Sequence, residues 1–170
     1  QFSDIAGFTS ISEKLTPEVL VDELGEYFGL MREALFKHNG TLDKYMGDGI
    51  MAVFGAPIED HDAALHAIAS AREILAEIDR RGLEKGDWPL RIGIGIHSGP
   101  SIVGEMGYER ATQLTAIGDT VNTASRLEAL TKEFAAQLVV SQELLDKAGA
   151  DLPDAPHQHV EIRGRQEKLD

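Results

Sequence analysis

The stretch Thr41-Leu42-Asp43-Lys44-Tyr45-Met46-Gly47-Asp48-Gly49-Ile50-Met51-Ala52-Val53-Phe54 decides the fold. It reads as strand, Gly47-Asp48-Gly49 turn and returning strand, because Asp-Gly between two apolar runs is a strong hairpin signal. Helical periodicity lies on either side. Upstream, Thr16-Pro17 is an N-cap followed by proline at the first helical position. Leu20, Leu24, Tyr27, Phe28, Met31 and Leu35 then form one apolar stripe, which Asn39-Gly40 ends. Downstream, Leu65, Ile68, Ala71, Leu75 and Ile78 form a second stripe over residues 62–81. Gly82 is expected to end that helix, with Arg80-Arg81 complementing its C-terminal dipole.

Working outward, the first residues read as a strand ending at Asp4. Further strands are expected over 89–97 and 101–104, and over 111–117 after a turn centred on Gly107. Gly118-Asp119 caps a helix running to about Thr131, and strands follow over 137–141 and 160–163. The order is β-α-β-β-α-β, then β-β-α-β-α-β. Hairpins mixed with helices predict an α+β sheet with helices packed on it, not a doubly wound parallel sheet.

The chain has 170 residues, no cysteine and a net charge of −13. A chain of this length buries about 70% of its unfolded surface and needs no covalent staples. Disulfides, thiolate metal sites and a cysteine nucleophile are excluded. The charge argues against nucleic-acid binding and against direct contact with an anionic membrane. Absence of cysteine fits a cytoplasmic setting. The chain opens on Gln1 inside an expected strand, so one domain over 1–170 is expected to be a piece of a longer protein.

Two constellations carry chemistry. Asp4 ends the first strand and Asp48 sits at the hairpin tip, and a β-α-β-β unit lets these points approach. Two such carboxylates repel unless a cation holds them, and hard oxygen donors suit Mg²⁺ or Mn²⁺. Both also read as plain turn residues. After Asp4, Ala6-Gly7-Phe8-Thr9 runs into a segment whose free N–H groups would face a phosphate if it opens a helical turn. Thr9 and Ser12 read equally as caps. In the second constellation, Asn122 and Arg126 are four apart on one helix face, near a helix N-terminus. An amide and a guanidinium there suit phosphate or sugar oxygens, or form a solvated polar face.

Other signals point elsewhere. Gly93-Ile94-Gly95-Ile96-His97-Ser98-Gly99 lacks the G-x-G-x-x-G spacing, so its glycines read as close packing within a strand. His61 and His66 are off helical ligand spacing, and His157 and His159 read as a weak metal pair on one strand face or, in preference, as exposed residues near a loop. No G-x-S-x-G or Walker A pattern occurs.

Together these segments resemble the catalytic domain of class III nucleotidyl cyclases. The motifs are Phe2-Ser3-Asp4-Ile5-x-Gly7-Phe8-Thr9, Lys44-x-x-Gly47-Asp48, Gly118-Asp119-Thr120-Val121-Asn122-x-Ala124-Ser125-Arg126 and Ile162-Arg163-Gly164. They span nearly the whole chain, and in combination they are highly specific. The resemblance implies a ferredoxin-like, palm-type βαββαβ core with a mainly antiparallel mixed sheet. It also implies a C-terminal βα extension and a β-hairpin dimerisation arm over 106–115. It implies that ATP becomes cyclic AMP and pyrophosphate. Asp4, Asp48 and the carbonyl of Ile5 would hold two divalent cations, Mg²⁺ or, in vitro, Mn²⁺. Asn122 would orient the ribose and Arg126 would stabilise the phosphate in the transition state. Phe8, Thr9 and Arg163 would lie along the substrate, with Arg165 and Lys168 as alternatives to Arg163.

Lys44 and Thr115 would read the purine. A lysine donates to adenine N1, where guanine presents N1–H, so Lys44 argues for ATP over GTP, a mismatch worth orders of magnitude. Many members carry Asp where this chain has Thr115, and Thr resembles the subtype often stimulated by bicarbonate. By the same resemblance, sites form head to tail in a homodimer. One chain would supply Asp4 and Asp48, and the other Lys44, Thr115, Asn122 and Arg126. The rivals are a guanylyl cyclase and a catalytically silent nucleotide-sensing or dimerisation domain. A diguanylate cyclase is disfavoured, since no Gly-Gly-Asp/Glu-Glu-Phe signature occurs.

Overall fold

A computed structural model describes residues 1–85, 91–108 and 111–160. In chain order the elements are β1 (Phe2–Ile5), α1 (Phe8–Ser12), α2 (Pro17–Lys37), β2 (Thr41–Met46), β3 (Gly49–Val53), α3 (Ala63–Lys85) and β4 (Ile92–Ile96). There follow β5 (Ile102–Tyr108), β6 (Ala111–Ile117), α4 (Asp119–Glu133), β7 (Leu138–Val140) and α5 (Gln142–Ala148).

The main sheet has the order β2-β3-β1-β4-β7. All its pairings are antiparallel except β4 with β7, which is parallel. This is the ferredoxin-like arrangement with one strand and helix added at its C-terminal edge. β5 and β6 form a separate two-stranded hairpin.

β4 explains how helices cover both faces of the sheet. Along Ile92-Gly93-Ile94-Gly95-Ile96, side chains alternate between faces. The three isoleucines enter the main core with Tyr27, Met31 and Leu35 of α2 and Ile68, Ala71 and Ile74 of α3. The two glycines face α4. A Cβ placed on Gly95 would fall onto the backbone of Glu128 and Ala124, and one on Gly93 onto Thr131. The glycines therefore serve helix packing, as their spacing suggests.

α2 begins where expected, with the Thr16 hydroxyl accepting from the Val19 N–H at 3.5 Å. It stops at His38, followed by Asn39 with φ 58°. α3 departs from expectation by running through Gly82 to Lys85. Arg80 pairs with Glu77 at 2.6 Å and with Glu84 at 2.5 Å, holding the turn that contains Gly82. Arg81 reaches Glu26 of α2 at 3.0 Å, so the arginine pair lies within the helix. Leu65 also departs, being exposed, while Ile74 takes the buried place on that face.

The two hairpins also differ in detail from the sequence reading. Met46 pairs with Gly49, so the loop residues are Gly47-Asp48, with Gly47 at φ 66°. Gly49 already belongs to β3. The β2–β3 register shifts between Leu42 and Lys44, a bulge that leaves Asp43 as the extra residue. Gly107 is not the centre of a turn; it lies in β5, opposite Thr112, with φ 140°, a conformation only glycine adopts readily. The expected strand over 160–163 and the sites at Arg163, Arg165 and Lys168 lie outside the described residues, apart from Val160. Among the described residues no helix is long and apolar enough to cross a membrane.

Gly95→Ala is expected to lower stability by about 3 kcal/mol, because α4 presents backbone to the new methyl group. In a domain of this size that lowers Tm by ~6–12 °C. Gly25 lies in α2 with open space around its Cβ position. Gly25→Ala should instead stabilise by about 0.5–1 kcal/mol. Thermal unfolding followed by circular dichroism checks both, and equal effects would contradict the contact between α4 and β4.

Candidate active site

Strand alternation brings the first aspartate to the α4 side of the sheet. Ile5 points into the main core, while Asp4 lies opposite Gly93, the position over which Thr131 and Glu128 of α4 pack. Lys132, one turn beyond Glu128, places Nζ 3.4 Å from Asp4 Oδ2. The hairpin tip brings Asp48 to the same place. Gly49 permits this approach: a Cβ there would lie 3.2 Å from Asp4 Oδ1 and 2.9 Å from the Ser3 carbonyl.

The cluster is strongly acidic. The Asp48 carboxyl is pushed above the usual carboxylate range by burial, then by the charge of Asp4 and by a hydrogen bond shared with it. Asp48's own backbone N–H and Lys132 pull the other way. Glu128 is raised by burial first and then by Asp4 and Asp48, with Lys132 opposing. Burial and the same three carboxylates push the Tyr27 phenol up. Glu128 Oε1 and the Tyr27 hydroxyl are buried without a hydrogen-bond partner among the described residues.

These donors suit a hard divalent cation, since two carboxylates that repel each other are stabilised by positive charge between them. Among the described residues no group of three or more His, Asp or Glu converges as a ligand set. What the structure brings together is the pair Asp4 and Asp48, which share a hydrogen bond. α1 starts beside this pocket at Gly7, which has φ 73° and no side-chain cap. Neither Thr9 nor Ser12 caps the helix; the Ser12 hydroxyl donates to the Thr9 carbonyl at 2.9 Å. Phe8 packs against the main core, and Thr9 is exposed.

A second cluster joins β2 to β6. Lys44 Nζ donates to Thr115 Oγ1 at 3.0 Å, and the Thr115 hydroxyl donates to Asp43 Oδ2 at 2.9 Å. Lys44 Nζ lies 3.2 Å from the same Asp43 oxygen. Asp43 Oδ1 accepts from the Ala116 N–H at 3.2 Å, and the Asp43 carbonyl accepts from Gln113 Nε2 at 3.1 Å. Residues distant in sequence are thus drawn together around one carboxylate that is 3% exposed.

Asn122 and Arg126 occupy the first half of α4, with Asn122 exposed and Arg126 half-buried. Thr123, Ala124 and Leu127 are buried on the other side of the helix. Nine residues of helix, roughly 13 Å, separate Asn122 from Thr131 at the level of Asp4. Asn122 therefore lies toward the opposite end of α4 from the acidic pair, with Arg126 at the middle of the helix.

Sequence reasoning missed Asp43, Glu128 and Lys132, whereas Tyr27 lies in the core as its place on the α2 stripe predicts. Glu128 and Lys132 are spaced like an ordinary surface ion pair. Asp43 adjoins Lys44 and would face away from it in a regular strand, so only the bulge reveals it. Among the histidines, His66 Nδ1 lies 2.6 Å from Asp60, a local ion pair when the ring is protonated.

A family described as the Adenylate and Guanylate cyclase catalytic domain matches residues 1–169. Adenylate cyclase 1 of Rhizobium meliloti is 36% identical over 172 residues, covering 99% of this chain and 26% of that protein. The chain thus spans about a quarter of that relative. Among solved structures, the guanylyl cyclase Cya2 superposes with a TM-score of 0.86 at 35% identity, covering 99% of this chain and 86% of that one. The adenylyl cyclase CyaB from P. aeruginosa superposes with a TM-score of 0.82 at 30% identity, covering 99% and 88%. The acidic strand-and-hairpin pocket and the sheet that builds it thus occur in a chain that belongs to the class III adenylate and guanylate cyclase catalytic domain family.

Proposed function

We propose that the chain converts ATP to 3′,5′-cyclic AMP and pyrophosphate, at sites shared across a head-to-tail homodimer. The observation that carries the choice of ATP is the Lys44–Thr115 contact at 3.0 Å, which presents an ammonium donor beside a hydroxyl. Adenine offers the complement: N1 accepts and the 6-amino group donates. Guanine presents N1–H toward Lys44 and an oxygen at position 6. Relatives of either specificity share the fold, so the base-facing side chains carry the distinction.

Asp4, Asp48 and the Ile5 carbonyl would hold two divalent cations, Mg²⁺ with Mn²⁺ as an in vitro substitute. Such cations acidify the ribose 3′-OH and neutralise triphosphate charge when bound. In the reaction the 3′-oxygen attacks the α-phosphorus in line. The bond from that phosphorus to the bridging oxygen breaks, pyrophosphate leaves, and the hydroxyl proton passes to solvent. Asn122 orients the ribose, and Arg126 donates to the phosphate as charge develops. The backbone at Phe8 and Thr9 faces the triphosphate. Arg163, with Arg165 and Lys168 as alternatives, is proposed as a further basic contact. Thr115 also motivates stimulation by bicarbonate, and the domain is proposed to work in the cytoplasm.

The displacement of Asn122 along α4 from the level of Asp4 motivates a site completed by a second copy. The β5–β6 hairpin exposes Ile102, Leu114 and Ile117, an apolar surface suited to that contact. Asp4→Ala and Asn122→Ala should each lower turnover by at least ~100-fold, as expected when an electrostatic contribution to the transition state is removed. Mixing the two variants should restore activity through one intact site per heterodimer. No recovery, with subunit exchange demonstrated, would refute the shared site.

The acidic pair makes a separate prediction. A group whose pKa is raised on folding stabilises the protein below its unfolded pKa and loses that contribution as pH rises through the folded value. Asp48 therefore opposes folding of the metal-free protein at neutral pH. After allowance for solvent screening, Asp48→Asn should relieve about 1 kcal/mol and raise the metal-free Tm by ~2–4 °C. It should also remove the Tm increase that Mn²⁺ gives the unsubstituted protein. Thermal scans with and without Mn²⁺ at pH 7 check both effects.

Turnover of ATP and GTP across protein concentration tests the whole reading. Cyclic AMP is the expected product, with specific activity rising as dimers form. Cyclic GMP as the main product would overturn the assignment of the base. No product, despite nucleotide binding and dimerisation, would favour the sensing module.

A further inference from the structure

The bulge in β2 places two consecutive side chains, Asp43 and Lys44, against the same hydroxyl of β6. In a regular strand they would point to opposite faces. Bulges re-aim side chains in this way and are common beside active sites. Asp43 is nearly fully buried at 3% exposure and carries four polar contacts: Thr115 Oγ1, Lys44 Nζ, the Ala116 N–H and, through its carbonyl, Gln113.

Hydrogen-bond inventory gives the consequence. An ionised carboxylate only accepts, so the Thr115 hydroxyl must donate its single proton to Asp43 Oδ2. A hydroxyl oxygen has two acceptor positions, and Lys44 Nζ uses one at 3.0 Å. The position that remains can only accept. Thr115 is ambiguous in isolation, because a free hydroxyl could donate to a 6-oxo group as easily as accept from a 6-amino group. Beside Asp43 it is not ambiguous.

We propose that Asp43 is a positioning residue for purine selectivity: it orients the Thr115 hydroxyl as a hydrogen-bond acceptor, so that the pair with Lys44 selects a 6-amino purine. The inference rests on the purine reading of Lys44 and Thr115 made above. Asp43 need not touch the nucleotide, since it acts through the Thr115 proton. The carboxylate also ties β2 to the β6 backbone at Ala116, holding donor and acceptor at one spacing.

The test compares ATP with purine riboside triphosphate, which keeps the N1 acceptor but carries hydrogen in place of the 6-amino group. The unsubstituted 170-residue chain should favour ATP about tenfold in kcat/KM, the value of one neutral hydrogen bond in a specific site. In Asp43→Asn the amide donates to Thr115, frees its proton and removes the committed acceptor. The ATP preference should then fall to within about twofold of unity. Thr115→Ala should lose the same preference, and the double variant should lose no more. Thr115→Ser should retain it.

A purely structural role for Asp43 would lower turnover of both nucleotides and leave their ratio intact. A retained ratio in folded Asp43→Asn therefore overturns the proposal. Asp43→Ser is measured in parallel, with circular dichroism and Tm recorded for each variant. If neither replacement folds, Asp43 is a staple of the fold and the selectivity role fails. Competitive binding of the 3′-deoxy forms of both nucleotides reads the same ratio without turnover. Preferential binding of 3′-deoxy-ATP without cyclisation of ATP would defeat the cyclase reading while still testing Asp43. No preference in the unsubstituted chain by either measure would defeat the purine reading and this proposal together.

Discussion

The contact of α4 with Gly93 and Gly95 of β4 is the constraint on which the rest of the structure depends. At Gly95 helix backbone lies against the strand, and at Gly93 the Thr131 side chain does, approaches that a Cβ at either glycine would block. That contact brings Glu128 and Lys132 to the level of Asp4 and sets Asn122 toward the other end of the helix, with Arg126 between them. It also commits the alternate residues of β4 to the opposite face, where three isoleucines complete the core with α2 and α3. One strand of alternating Ile and Gly thus sets both the hydrophobic interior and the spacing between two groups of polar side chains.

The two polar clusters treat charge in opposite ways. Around Asp4 and Asp48, like charges gather under partial burial, with Lys132 a weak and largely exposed counterion. Burial and mutual repulsion both favour protonation of Asp48 in that setting. Around Asp43 the charge is satisfied internally by an ammonium, a hydroxyl and a backbone N–H. A buried carboxylate paired in this way is held in one geometry by its partners.

Much of the fold was legible because the deciding signals are local. The Thr16-Pro17 cap, the Asn39-Gly40 stop and the hairpin around Asp48 each follow from short-range backbone chemistry. Gly82 misled because a glycine weakens a helix by only about 1 kcal/mol, within reach of packing and ion pairs. Gly107 misled because it serves an unusual backbone angle inside a strand rather than a turn. The β2 bulge left no mark, since one inserted residue shifts the register without altering the apolar pattern enough to be read.

By itself the amino-acid sequence determined the order of elements, the α+β class and the motifs that place this chain among the cyclases. It also offered Asp4 with Asp48 as carboxylates that a β-α-β-β unit lets approach, and the family resemblance added Lys44 with Thr115. Only the tertiary structure decided how those side chains are supported. Glu128 and Lys132 join the acidic pair through packing between helix and sheet. Asp43 joins Lys44 and Thr115 through a bulge and a contact between strands distant in the chain. Hydrogen-bond direction at a hydroxyl depends on its neighbours in space, and those neighbours exist only once β2 and β6 have met.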